Sequence, residues 1–545
     1  MSMKNRLSNE TKHYDAIVVG AGFAGLYMLH RLREAGLSVL VYEAAKGVGG
    51  VWHWNTYPGA RCDTDSIYYN YTFSEELYQE WTWSERYASQ PEILRYLNYV
   101  ADKFELREDI QFETRVSAAH FEDSTNQWDI YLADGTNVTS KYFITGVGVL
   151  STLNIPDFKG KDSFKGQAFH TADWPEDLDL KGKKVGVIGT GSSGVQSIPE
   201  IAKEAGHLTI FQRSGQYTAP ANNYSYDEED VKEIKANFKA MRAKMHSTYD
   251  GIPIDRPDRS VLDHTPEQQN QVFKEAWNKG GVPYLLATYS DLKTNKESNE
   301  AMADFVRNKI YGLVEDQELA EKLQPLDYFG TKRPISHIGF YDALERDNVT
   351  FLNMSEAHIE EITPNGVKTP EAEYDLDIII YATGFDAITG SLFKIDLRGK
   401  DGISLKEKWD NGKKTKTNLG LSTAGFPNLF IITGPESPSV TTNMPMAIEQ
   451  HVNWITDCIN YLEENNIEAI EATTEAEDAW SKSVSDVANK TLFVKTKSWY
   501  TGGNIDGESL RFPIYLGGMP KYGKIIDDVA KNGYEGFHLT HEKNL

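Results

Sequence analysis

The sequence predicts an α/β protein: two Rossmann-like, doubly wound units with an all-helical insertion. Three observations predict it. The pattern G-x-G-x-x-G occurs twice, at Gly20–Gly25 and at Gly189–Gly194. Each copy follows a short β-branched run and opens a stretch with apolar residues at helical spacing, after which a second β-branched run returns. Residues from about 223 onward then change character, becoming charged with apolar residues spaced as on amphipathic helices.

The bulk numbers fit that division. The chain has 545 residues, too many for one core. Hydrophobic residues make up 40% and aromatics 12%, enough for globular cores. The formal charge of −24 repels nucleic acid and anionic membranes, so neither is an expected partner. Two cysteines, Cys62 and Cys458, with no C-x-x-C exclude a dithiol reductase and suit a reducing, cytoplasmic setting. Residues 1–13 are polar without a signal core, and no apolar run approaches the ~20 residues of a membrane span.

In the first unit, the strand Tyr14–Val19 runs into Gly20, Gly22 and Gly25. Leu26, Leu29, His30 and Leu32 mark the helix, Gly36 stops it, and the strand Leu37–Tyr42 ends in Glu43. The glycines let backbone approach a pyrophosphate at the helix N-terminus. Glu43 is placed for two ribose hydroxyls and repels a 2′-phosphate, so this site favours FAD or NAD. Residues Gly49–Asp63 follow, reading G-G-x-W-x-x-x-x-Y-P-G-x-x-x-D; Gly, Pro58 and the aromatics predict a loop whose tryptophans form flat apolar walls.

The second unit begins after a turn-rich crossing at Leu150–Pro156. Its strand Lys184–Ile188 runs into Gly189, Gly191 and Gly194, its helix runs to about Ala205, and the strand Leu208–Gln212 ends in Arg213 and Ser214 instead of an acid. Arginine offers charged donors to a 2′-phosphate, so this site favours NADPH. Two units with opposite ribose chemistry imply electron flow from NADPH to FAD. In the insertion, Asp227–Met245, Glu267–Asn278 and Asn299–Val314 read as helices. Pro334 keeps Arg333 extended, where its permanent charge can face an anion.

Phe164–Pro175 reads F-x-G-x-x-x-H-x-x-x-W-P, with Phe164, Gly166, His170, Trp174 and Pro175 at the fixed places. This stretch, the Gly49–Asp63 pattern and the sequence Lys332, Arg333, Pro334 together resemble the Baeyer–Villiger monooxygenases, flavoenzymes that insert oxygen beside a ketone. The resemblance covers nearly the whole chain. It implies an FAD-binding domain over 1–150 and 386–545, an NADPH-binding domain over 151–222 and 331–385, and the insertion at 223–330. It implies that Arg333 is the active-site cation, with Asp63 beside the flavin and the nicotinamide. Gly20, Gly22, Phe23, Ala24, Gly25, Glu43, Gly50, Val51, Trp52 and Tyr69 would hold FAD. Val116, expected on a strand Gln111–Val116, would meet the adenine, and Asn443 and Met444 would touch the flavin ahead of a helix beginning near Met446. Thr190, Gly191, Ser192, Ser193, Gly194, Gln196, Arg213, Ser214, Lys332 and Trp499 would hold NADPH.

The loop 435–445 looks more like that of the phenylacetone monooxygenase branch than of the cyclohexanone branch. Family members usually carry Pro-Gly-Lys after the tryptophan loop; Asp506–Glu508 stands there instead. The resemblance implies a ketone and O2 as substrates, an ester or lactone as product through a flavin peroxide kept anionic by Arg333, and sulfoxidation as a further activity. His170 and Trp174 are read as hinge and coupling residues. His538 and His541, with no acid or cysteine framework, are read as surface, so no metal is expected. Two rivals share the nucleotide units: an N- or S-oxygenating flavin monooxygenase, and a non-enzymatic dinucleotide-binding redox sensor. The choice of ketone and the oligomeric state are not encoded in any local pattern.

Overall fold

The computed structural model describes residues 11–354, 358–503 and 512–541. Its larger sheet has eight strands. Five are parallel, in the order Ile110–Gln111, Val39–Tyr42, Lys12–Val19, Asn137–Thr145 and Leu429–Ile431. Asn137–Thr145 is long enough to serve two neighbours on one edge. Its first half pairs antiparallel with Gln127–Leu132, and its second half parallel with Leu429–Ile431. The strand Val116–Glu122 continues the antiparallel arm, and Asp396–Arg398 closes it.

The second sheet is wholly parallel, ordered Val349–Asn353, His207–Gln212, Lys184–Ile188, Ile378–Tyr381 and Gln167–His170. Its central strands are apolar runs buried on both faces, as a helix-covered parallel sheet requires. The F-x-G-x-x-x-H stretch therefore forms the edge strand and the turn after it.

Two segments connect the sheets and lie against each other. Asn154 donates to the Gly384 carbonyl at 3.0 Å, Asp386 to Thr152 at 2.9 Å and Ile388 to Val149 at 3.0 Å. The helices Pro266–Lys279 and Lys296–Tyr311 share the core of the second sheet through Phe273, Trp277, Met302 and Val306, whereas Met245, on the helix Phe238–Ser247, packs with Met446 and Met519 of the first unit.

Three local expectations are corrected. Asp227–Met245 is two helices, Glu228–Ala236 and Phe238–Ser247, broken at Asn237. The first buries no residue, whereas the second must turn Phe238 and Met245 inward, with Phe238 4.3 Å from the Tyr78 ring. Gln111 and Val116 are not on one strand. Glu113 adopts φ +51° and donates to Ala45 O, while Thr114 donates to Glu43 O, so the chain folds back before Val116 opens the antiparallel arm. The Gly49–Asp63 stretch is not all loop: Val51–Trp54 forms one helical turn, because Gly49 and Gly50, at φ +136° and +55°, reverse the chain just ahead of it.

Candidate active site between the two nucleotide units

At the first glycine turn, Gly20 has φ +100°, and a Cβ there would stand 2.6 Å from the Gly146 carbonyl oxygen. On Gly22 a Cβ would come within 3.2 Å of the Gly50 Cα, so the turn and the Gly49–Asp63 segment meet backbone to backbone. Gly22 caps the helix Phe23–Glu34 with no side-chain bond, which leaves the first-turn N–H groups of Phe23 and Ala24 open to an anion. Glu43 is buried, and its two carboxylate oxygens accept from Ala21 N and Ala45 N, both at 2.7 Å. It thus ties the turn to the end of its own strand, with lone pairs left for ribose hydroxyls. Trp52 Nε1 donates to Tyr69 Oη at 3.2 Å, and Phe23 meets Tyr69 edge-on at 5.4 Å. Val116 is buried beside Tyr42. Asn443 precedes the helix Met444–Glu464 but does not cap it; its Nδ2 donates to Tyr68 O and Gly251 O at 2.8 and 3.1 Å. This donor set and open helix end fit a flavin dinucleotide.

The second turn differs in one instructive respect. Gly189, at φ +107°, and Gly194 are crowded by backbone, but a Cβ on Gly191 would meet nothing within 4 Å. The helix Ser192–Glu204 starts there without a side-chain cap, exposing the N–H groups of Ser192 and Ser193 to that space. Thr190 Oγ1 donates to Gln212 Oε1 at 3.2 Å. Arg213 is exposed and has no hydrogen-bond or ion-pair partner among the described residues. Nearby Lys332 Nζ donates to Ser214 Oγ at 3.3 Å and pairs with Asp327. Two cations around a hydroxyl suit a 2′-phosphate, so these residues fit NADPH.

Gln196, on the same helix, bonds the Gly49–Asp63 segment. Its Oε1 accepts from Tyr57 Oη at 2.8 Å, its Nε2 donates to Arg61 O at 3.1 Å, and a Cβ on Gly59 would lie 2.2 Å from its carbonyl. It clamps the Gly49–Asp63 segment onto the second unit.

Between the units, Arg333 Nε and Nη2 donate to the two oxygens of Asp63, each at 2.8 Å, and Nη1 donates to Val440 O at 3.1 Å. The arginine is 36% exposed and the carboxylate 25%, so the pair is partly open to solvent. Burial raises the Asp63 carboxyl pKa, but the Arg333 charge and hydrogen bonds outweigh it and hold the group below its usual value. Asp63 in turn pushes Arg333 well above its ordinary range, and the nearby Tyr500 hydroxyl adds to the shift.

Tyr500 gave no sequence signal; its neighbour Trp499, 4.1 Å from it ring to ring, carried the motif. Thr331 Oγ1 donates to Thr496 Oγ1 at 2.8 Å, tying this tryptophan segment to the arginine loop. Asp506 and Glu508 lie outside the described residues.

His170 is buried. Its Nδ1 accepts from Ala172 N at 3.1 Å, so its Nε2–H donates to Gly384 O at 2.9 Å, and burial lowers its pKa. It is a neutral ring joining the edge strand to the crossing segment. His538 and His541 are exposed, and no group of three or more metal-ligating side chains occurs among the described residues. Among the described residues no helix is long and apolar enough to cross a membrane.

Residues 14–240 match the flavin-binding monooxygenase-like family. The chain is 43% identical to a Baeyer–Villiger monooxygenase of Pseudooceanicola batsensis, over 96% of this chain and 95% of that one. It is 42% identical to a phenazine N-monooxygenase of Lysobacter antibioticus, over 98% of each. Among solved structures, it matches an oxidized steroid monooxygenase bound to NADP with a TM-score of 0.92 and 44% identity, over 98% of this chain and all of that one.

Proposed function

Since the chain belongs to the Baeyer–Villiger monooxygenases, FAD- and NADPH-dependent enzymes that convert ketones and O2 to esters or lactones, we propose that Arg333 is its active-site cation and Asp63 the carboxylate that holds it. The observation that carries this reading is the two-pronged ion pair joining residues 270 positions apart, at the seam of the two nucleotide units.

When bound, FAD and NADPH supply hydride transfer and the activation of O2. The chain supplies position and charge. Arg333 has five N–H donors. Asp63 takes two and Val440 one, which fixes the guanidinium plane and leaves two donors for an oxyanion growing on the substrate carbonyl. Such a donor contributes ~2.7–4 kcal/mol to an acyl-type transition state. Asp63 also tempers the charge, so that a hydride donor beside it is not held too tightly. Val440, Phe493, Tyr500 and Phe512 form an apolar cluster that borders the arginine through the Val440 carbonyl. Gly20–Gly25 with Glu43 would anchor FAD; Gly191, Ser192, Arg213 and Lys332 would anchor NADPH.

Arg333→Ala tests the assignment. Stopped-flow traces with NADPH are expected to show normal bleaching of the flavin, while ester disappears from the products. Ester formed at the wild-type rate would refute it. Phenazine offered in the same assay checks the N-oxygenating alternative, which predicts an N-oxide in place of an ester.

A further inference from the structure

Lys293 is a cation that the scheme above does not use. It lies where the insertion meets the apolar cluster beside Arg333. Its carbonyl accepts from Leu492 N at 2.8 Å, and its Nζ stands 5.8 Å from the centre of the Phe493 ring. Phe493 packs on Tyr500 at 5.7 Å, and Tyr500 lies within electrostatic reach of Arg333. The ammonium has no hydrogen-bond or ion-pair partner among the described residues.

The charges around it do not balance. Arg333 is matched by Asp63, and Arg256 by Asp250, with Nη2 to Oδ2 at 2.7 Å. Lys293 feels Asp250, Arg256 and Arg333 together, which leaves the cluster one positive charge in excess. Beside it Arg256 Nε is buried without a hydrogen-bond partner, and so is the acceptor Asp250 Oδ1. With Asp63 and Asp250 each matched to a guanidinium, the unmatched ammonium describes a site completed by an anion.

We propose that Lys293 anchors a carboxylate carried by the ketone, so that the substrates of this enzyme are oxo acids. The proposal rests on the ketone reading above and adds the charge of the substrate to it. The carbonyl lies against Arg333, the carbon skeleton against Phe493 and Val440, and the carboxylate against the ammonium. Burial first, and then the two guanidinium charges against the attraction of Asp250, lower the lysine to about 8, so the anchor is charged at neutral pH and is lost above that value.

The experiment compares 3-oxocyclohexanecarboxylate with its methyl ester on the holoenzyme. Wild type is expected to favour the acid in kcat/KM. In Lys293→Met the acid-to-ester ratio should fall at least tenfold, mainly through KM. In wild type the ratio should fall as pH rises through about 8, because kcat/KM follows the free enzyme. Lys293→Arg should keep the preference and remove that fall. Calorimetry with cyclohexanecarboxylate, which has no ketone to react, should show weaker binding to Lys293→Met by a similar factor. An unchanged ratio and unchanged carboxylate binding would overturn the proposal, and so would a loss confined to the KM for NADPH. If neither ketone is oxygenated, the ketone reading falls, and the calorimetric result still decides for or against Lys293.

Discussion

Glu449 is a carboxylate held in a buried position. It is buried in the helix Met444–Glu464 with no basic partner in contact; its oxygens accept from Thr72 Oγ1 at 2.6 Å, from Phe73 N at 3.2 Å and from Thr72 N. Burial outweighs these bonds and the more distant Arg242, and raises the carboxyl to about 7. The fold therefore binds this proton more tightly than the unfolded chain does. The resulting stability is complete below about pH 4.5 and is lost as pH rises through about 7. At 1.36 kcal/mol per unit the loss is about 3 kcal/mol. Glu449→Gln should leave Tm nearly unchanged at pH 5 and raise it at pH 8; a constant difference across that range would contradict the assignment. Asp63 behaves oppositely: its lowered value means that the Arg333 pair survives until strongly acid pH.

At the scale of an element, the two glycine turns look alike in sequence but respond differently to a methyl group. Gly25→Ala would drive a Cβ to 1.7 Å from the Gly20 carbonyl oxygen, so the strand–turn–helix unit must deform. Gly191→Ala meets no protein atom within 4 Å. Its Tm should stay at the wild-type value while the KM for NADPH rises, because the methyl occupies ligand space; a lowered Tm with an unchanged KM would reverse that reading. Arg213→Ala removes a charged donor worth ~1.5–3 kcal/mol. The preference for NADPH over NADH should drop roughly 10- to 100-fold, measured as a ratio of kcat/KM values.

At the scale of the whole molecule, the insertion is fastened to the first unit through Arg86 and Asp65, themselves a buried ion pair. Arg86 Nε donates to Asp65 Oδ1 at 2.6 Å, both side chains are 7% exposed, and Arg86 also donates to Lys279 O and Gly280 O at 2.7 and 3.2 Å. Tyr284 Oη donates to the other Asp65 oxygen at 3.2 Å. Removing one partner strands a buried charge, so Arg86→Met should cost about 3–5 kcal/mol, read as a lower urea midpoint. A midpoint unchanged within error would show that the pair is not a fastening. None of these partners was legible in the chain, because Asp65 and Arg86 stand in no pattern and their acceptors lie near 280. The glycine turns, the residues Glu43 and Arg213 that close their strands, and the Arg333 motif were legible, since each is a short contiguous string.

What the sequence determined by itself is the set of local units: strand, glycine turn, helix and strand, twice over, with Glu43 after one and Arg213 after the other. Backbone sterics and helix-end electrostatics act within about 30 residues, so a linear reading reaches them. Only the folded chain decided how the units face one another. It set the Gln196 clamp, the paired crossing segments, the ion pair of Arg333 with Asp63 and the unmatched charge of Lys293. These depend on packing between residues more than a hundred positions apart, where burial and Coulomb energy follow distance in space and not order along the chain.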